Sequence, residues 1–415
     1  MYYGWALIGT LGFTATVSYG VLSYAFGVFI DPMTRELGWS KATVTGAFSL
    51  GSLVAGAAAI PAGRWVDRHG ARGLMTAGSM VATLGLLAWS RVQSIAAFYV
   101  LWAVLGLAMA AVLYEPAFAV VAAWFHGRRG RALTVLTFIG GFASVVFVPL
   151  ASWLVDAHGW RAALVRLAML YAPLTILPHA VMLRRRPADL GFVPDGRPPS
   201  PTVRRVPGER SVTAREALRS GGFRWLTVAF ALSALATTAV SVHLVPLLLE
   251  RGYRPAVAGG AMGLLGLMAL PGRLVFTPLG DRWPRPAVTA AIFLLQALAC
   301  LALLATRDSF ALWLFVVLFG AGFGAITPAR AALVAERFGP AHYGSIAGVL
   351  ALVLALARAA APVGASWIHE LGGGPSEGGY DVVIAVLLAA SLAAGGAVLL
   401  TGADRAGTEP ARPVA

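Results

Sequence analysis

Residues 63–72 read Gly63-Arg64-Trp65-Val66-Asp67-Arg68-His69-Gly70-Ala71-Arg72, and residues 280–285 read Gly280-Asp281-Arg282-Trp283-Pro284-Arg285. Each is a short charged turn set between two long apolar runs. A carboxylate beside arginines in such a turn can pair with them and with a helix end from the opposite half of the chain. Asp67 and Arg68 lie 214 residues before Asp281 and Arg282. The same offset relates Glu36, Gly38 and Trp39 to Glu250, Gly252 and Tyr253, and Gly130 to Gly344. Several matches at one ungapped offset imply an internal repeat. Two facing half-repeats with a site near the midplane are an architecture of secondary transporters. The paired turns then read as a cytoplasmic gate, formed in one state and broken in the other; solvated turns that only mark topology are the competing reading.

The runs around these turns set the fold class. Of 415 residues, 58% are apolar and 12% are charged, against about 25% charged in soluble domains. Mean hydropathy is +0.77. A bilayer span needs about 20 apolar residues. Candidate spans lie near 5–30, 42–63, 73–90, 95–123, 131–155, 162–183, 223–249, 256–279, 287–305, 310–335, 343–368 and 381–402. The first has no basic stretch before it and reads as a retained span rather than a cleaved signal. The expected fold is all-α and membrane-integral, with twelve transmembrane helices in two pseudo-symmetric six-helix bundles. Residues 1–183 make the first bundle, 184–222 a cytoplasmic linker, 223–402 the second bundle and 403–415 a tail. The linker is rich in Arg, Pro and Gly and reads as solvated; within it, 211–219 reads either as a short amphipathic helix on the membrane surface or as partly ordered linker.

Charge supplies the orientation. The net charge of +14 is compatible with a nucleic-acid partner only if the basic residues cluster on one surface, and here they are dispersed between spans. With the N-terminus inside, twenty-two Lys and Arg fall on the cytoplasmic side, seven outside and three within spans. That bias places both termini in the cytoplasm. An arginine-dominated basic set points to a bacterial inner membrane. The single cysteine, Cys300, precludes a disulfide framework or a cysteine metal cluster. No P-loop, no strand-linked glycine fingerprint and no His, Ser or carboxylate constellation is visible. Neither enzyme chemistry, nor a metal or cofactor, nor ATP-driven transport is therefore expected.

The within-span charges point to a cargo. An arginine near the bilayer centre costs roughly 2.5–3.5 kcal/mol on insertion scales and faces a cavity or a partner. Arg273 lies deep in the eighth span and Arg358 in the middle of the eleventh, and neither has an acid three or four residues away. A guanidinium fork matches a carboxylate bidentately. These two residues imply an anion site. Being held by backbone carbonyls or distant acids is the competing role. His243 in the seventh span either titrates near neutral pH and hydrogen-bonds an anion, or is a structural histidine bonded to neighbouring backbone. Glu115, the one carboxylate well inside a span, either titrates or neutralises an arginine. His179 and Arg166 lie nearer span ends and read as interfacial.

The turn at 63–72 resembles the G-x-x-x-D-R-x-G-x-R signature of the major facilitator superfamily, matched at Gly63, Asp67, Arg68, Gly70 and Arg72, with the second copy at Asp281-Arg282. A narrower resemblance is to monocarboxylate transporters and their oxalate/formate-exchanging branch. It rests on Tyr3-Gly4-Trp5, Ser18-Tyr19-Gly20, Gly27-Val28-Phe29, Tyr114-Glu115-Pro116, Trp124-Phe125, Arg128-Arg129 and Gly159-Trp160-Arg161. The resemblance implies that Arg273 binds substrate carboxylate and that His243 pairs with it. It puts Arg358 where the oxalate/formate branch carries a basic residue, makes Tyr114 a substrate hydrogen-bond donor, with packing as that residue's competing role, and implies a monomer. The sequence also departs from the animal carriers. Ala269 stands where they have an aspartate, and the only lysine, Lys41, lies outside span one, which offers Ser23 and Tyr24. The expected function is secondary transport of a small carboxylate such as lactate, pyruvate, formate or oxalate, by proton symport or anion exchange. The alternative is a superfamily exporter of a drug or sugar.

Overall fold

The computed structural model describes residues 2–196, 212–280, 282–305, 308–374 and 378–401. Among these residues there is no strand. The long helices are α1 (Tyr3–Leu37), α2 (Lys41–His69), α3 (Ala71–Trp89), α4 (Ile95–Trp124) and α5 (Arg129–Met182). A short α6 (Ala214–Arg219) precedes α7 (Gly221–Glu250) and α8 (Pro255–Leu279). The series ends with α9 (Arg285–Ala305), α10 (Ser309–Phe338), α11 (Tyr343–Leu371) and α12 (Gly379–Leu400). The expected linker and tail residues 197–211 and 402–415 lie outside the described residues.

Among the described residues, eleven helical segments are long and apolar enough to cross a membrane. The 54 residues of α5 would run roughly 80 Å if straight, far beyond a hydrocarbon core of about 30 Å. Gly159, with φ 76° and ψ 159°, turns the chain back inside that segment. Only glycine takes that conformation cheaply. α5 is therefore two passages, which makes twelve among the described residues.

Residues group into two compact units, Met1–Val212 with Val334–Leu356, and Thr213–Leu333 with Ala357–Ala415. The first turns of α11 thus belong with the first unit. The core of that unit is aromatic. Phe26 and Trp89 meet edge-on to Trp102, at 4.9 and 5.1 Å between centroids, and all three rings are buried. The second unit centres on Leu244, Leu248, Phe315, Phe319 and Cys300, all buried.

The repeat is visible in the backbone. Gly38 and Gly252 both have left-handed φ, 69° and 82°. A methyl on Gly106 would strike the carbonyl of Gly51, and one on Gly320 the carbonyl of Leu265. Corresponding members of the two pairs are 214 residues apart, so α2–α4 and α8–α10 pack at equivalent points. Small residues let helix backbones touch in this way.

At the end opposite the arginine-rich turns, each unit is fastened by one arginine. Arg161 donates to Glu36 Oε1 (2.8 Å) and to the carbonyls of Ser90 (2.8 Å) and Val92 (3.1 Å), while Trp160 Nε1 donates to Glu36 Oε2. In the second unit Arg251 donates to the carbonyl of Leu303 (2.9 Å) and to Asp381 Oδ1 (2.7 Å). Each clasp joins the first helix of its unit to the third and to the closing turn or last helix.

Two sequence expectations are revised. His179 is fully buried rather than interfacial, 2.9 Å from the Ser79 hydroxyl. Ser79 also bonds the carbonyl of Met75 and must donate there, so it accepts from His179 Nδ1. The other revision concerns the linker, whose first part is folded onto the first unit. Asp195, with φ 65°, accepts from the backbone N–H groups of His126, Gly127 and Arg128 at 3.3, 2.7 and 3.2 Å. Beside it, burial and then the Asp195 charge push the Tyr2 phenol up to about 12. The expected short helix at 211–219 is present as α6, opened by a capping box between Thr213 and Glu216.

Arg161→Met removes three oxygen partners at once. Charge-assisted hydrogen bonds contribute about 1.5–3 kcal/mol each where buried, and Arg161 is partly exposed, which screens them. The expected result is a loss of about 1–3 kcal/mol, seen as a lower thermal midpoint of detergent-solubilised protein. An unchanged midpoint removes the clasp from the stability argument.

Candidate functional site

The turn at 63–72 meets the start of α11. Asp67, in the last turn of α2, accepts the N–H of Gly344 at Oδ1 (2.8 Å), and the N–H and hydroxyl of Ser345 at Oδ2 (2.8 and 2.6 Å). The first four N–H groups of a helix have no partner within it. A carboxylate placed there satisfies two of them and opposes the positive end of the helix dipole. The motif residues each have a reason. A side chain at Gly63 would collide with the backbone of Gly344, and one at Gly344 with that of Gly63. Gly70 has φ 81° and ψ 171° and joins α2 to α3 without a spacer. Arg68 and Arg72 are exposed, as is Arg282. Asp281 lies outside the described residues. The carboxylate therefore bonds the helix end, as the sequence reading allowed.

Glu115 is half-buried and lines a small pocket with Ala59, Gly63 and Gly344. Val66, the neighbour of Asp67, lines the same pocket. Tyr114 opens the second half of α4, which breaks at Leu113 (φ −84°, ψ −161°). Its ring packs on Tyr19 at 4.6 Å and stacks on Phe118 at 5.1 Å. Tyr19 adjoins a π-helical turn, Gly20–Tyr24, which ends on half-exposed Tyr24. Such turns recur at functional sites, and broken spans line transporter binding sites. Sequence reading did not find these two irregularities. Pro116 was the available signal for the break at Leu113.

In the second unit Arg273 is partly buried on α8, and its Nε donates to the carbonyl of Gly324 on α10 at 3.2 Å. That bond orients the guanidinium plane. The two backbones can approach because Gly272 and Gly324 have no side chain to meet the carbonyls of Ala321 and Ala269. Arg358 is exposed on α11. His243 has both nitrogens engaged, Nε2 by the carbonyl of Pro362 and Nδ1 by the hydroxyl of Tyr380, each at 3.0 Å. The likeness to carboxylate carriers pairs His243 with Arg273; here its bonds go to Tyr380 and Pro362.

Comparison with known proteins places this arrangement. The family model of the Major Facilitator Superfamily matches residues 12–362. The chain belongs to that superfamily and is a multi-pass integral membrane transporter, not an enzyme. It is 26% identical over 340 residues to monocarboxylate transporter 13 of Rattus norvegicus, covering 81% of this chain and 76% of the relative. It is 29% identical over 157 residues to the oxalate:formate antiporter of Oxalobacter formigenes, covering 38% and 37%. Among solved structures, the superfamily transporter FucP in the outward conformation matches with a TM-score of 0.74 at 14% identity, over 97% of this chain and 99% of that one.

The Asp67 contact can be tested without a cargo. Ala347 is buried in α11, four residues after Tyr343. In a Cys300→Ser background, Ala347→Cys is expected to label slowly with a thiol reagent. Adding Asp67→Asn turns one acceptor into a donor facing backbone N–H. A loss of about 1.5–3 kcal/mol raises the labelling rate about 10- to 100-fold. Equal rates would mean that Asp67 does not hold α11.

Proposed function

We propose that this transporter carries small carboxylates across the membrane by alternating access, with both termini in the cytoplasm. The observation that carries the reading is Arg273, a guanidinium deep in a membrane span whose plane is fixed by the Gly324 carbonyl. A fork held in one orientation is suited to a carboxylate, which it binds through two parallel hydrogen bonds. The likeness to a monocarboxylate transporter and to an oxalate:formate antiporter supports the same cargo class.

In this reading Arg273 binds the first carboxylate and Arg358 the second carboxylate of a dianion. His243 serves proton coupling, with Glu115 as a second titrating candidate. Tyr114 stands as a cargo hydrogen-bond donor on the family likeness. Gly63, Asp67, Arg68, Gly70 and Arg72, with Asp281 and Arg282, form the cytoplasmic gate. The chain acts as a monomer in a bacterial inner membrane, as the twenty-two cytoplasmic basic residues and the family pattern indicate.

Labelled lactate uptake into proteoliposomes, with and without an inward proton gradient, tests the reading. The gradient is expected to stimulate uptake, and Arg273→Gln to reduce it at least about tenfold, the weight of one charge-assisted bond. If lactate does not enter, oxalate-loaded vesicles test exchange, where Arg358→Gln is expected to impair oxalate more than lactate or formate. Well-folded protein that moves neither class of acid refutes carboxylate transport and leaves a different cargo.

A further inference from the structure

His243 can be assigned a tautomer from its partners. Pro362 offers only a carbonyl oxygen, so His243 Nε2 carries a hydrogen and donates to it. In the neutral ring Nδ1 is then the bare lone pair, and it accepts from the Tyr380 hydroxyl. Nδ1 is the only atom of this imidazole able to take up a proton, and Tyr380 occupies it.

His243 lines a narrow apolar pocket with Val240, Leu244 and Leu247 of α7, Phe315 of α10 and Val383 of α12, and the titrating groups in its wall are Cys300 and Tyr380. Arg358 lies one turn before Pro362 on α11. Towards the end of the bundle stand Glu250 and Arg251 of α7, His369 and Glu370 of α11, and Asp381 of α12. Arg251 and Asp381 are bound to each other. His369 Nε2 lies 3.1 Å from Glu250 Oε2, and its ring packs against that of Tyr380 at 4.2 Å between centroids. The Tyr380 ring is thus held on one side by the Glu250–His369 pair, while its hydroxyl reaches His243. Glu250 ends α7, seven residues beyond His243, or about 10 Å along the helix.

We propose that Tyr380 is the proton gatekeeper of His243, passing a proton between water at the Glu250 end of the bundle and Nδ1, with His369 as the residue that positions its ring. In the step, the Tyr380 O–H bond breaks and an Nδ1–H bond forms on His243. The phenol oxygen takes a replacement proton from hydronium at the Glu250 end. One proton leaves bulk solution and one positive charge appears on His243. The proposal rests on the proton-coupled form of the reading above and adds residues that reading does not use.

Two measurements test it. The first needs no cargo. Nitrogen-15 NMR of histidine-labelled protein, with His243 assigned by the signal lost in His243→Gln, is expected to show the Nε2–H tautomer at neutral pH. An Nδ1–H tautomer overturns the proposal. The second compares gradient-driven lactate uptake with lactate–lactate exchange at equal pH on both sides. Exchange needs no net release of the proton. Tyr380→Phe keeps the ring and is expected to slow gradient-driven uptake roughly tenfold or more, with exchange unchanged. His369→Gln is expected to act in the same direction more weakly. Equal loss of both modes indicates a structural role, and retention of both shows that protons bypass Tyr380; either overturns the relay. If wild-type protein has the expected tautomer but shows no gradient stimulation, proton coupling itself fails and the relay falls with it.

Discussion

A helix that starts at a membrane edge has unsatisfied N–H groups, and in this chain the start of α11 meets that constraint with a carboxylate from α2. Asp67 reaches Gly344 and Ser345 only because the two backbones touch, and they touch because positions 63 and 344 carry no side chain. Gly70 then turns the chain sharply enough to begin α3 at the next residue. Aspartate and three glycines form one device, in which the glycines supply proximity and the carboxylate supplies direction. Arg68 and Arg72 of the same motif are exposed beside it.

The two units are alike in backbone and unlike in side-chain chemistry. The Gly106–Gly51 and Gly320–Leu265 contacts coincide under the repeat, so the helix frame is conserved internally. The clasps at the opposite end do not coincide residue by residue. In the first unit the arginine comes from the turn inside α5 and its acid from α1. In the second the arginine comes from the end of α7 and its acid from α12. Both arginines also bond carbonyls at or just beyond the end of the third helix of their unit. The requirement is a cation that gathers three chain ends, and it is indifferent to which end supplies it. Glu250, the repeat partner of Glu36, consequently faces His369.

That indifference bounds what a sequence reveals. Apolar length marks the spans, and the helices overrun the runs by only a few residues where Asp67, His69 or Glu36 extend the last turn into the polar edge. The folding back within α5 is carried by Gly159-Trp160-Arg161, legible as a turn. The π-turn at Gly20–Tyr24 is not legible, because its residues suit an ordinary helix and Gly20 is required only by the Phe147 ring packed against it. The engagement of His243 is equally hidden, since Tyr380 lies 137 residues away. The linker misleads for another reason. Its composition is that of a solvated segment, yet one left-handed aspartate gathering three N–H groups is enough to fasten it. Composition averages over such single-residue anchors.

The position of the Asp67 contact matters to the gate reading as much as its strength. A gate must close firmly and still open many times a second. A carboxylate buried at the bilayer centre meets the first demand and fails the second, because separating it from its partners leaves a charge in hydrocarbon at a cost of several kcal/mol. Asp67 sits in the last turn of its helix, with exposed Arg64, Arg68 and His69 beside it. When it parts from Gly344 and Ser345, water can take their place on both sides. The net cost is then nearer the 1–3 kcal/mol of exchanged hydrogen bonds, small enough for differences in cargo or proton binding to reverse.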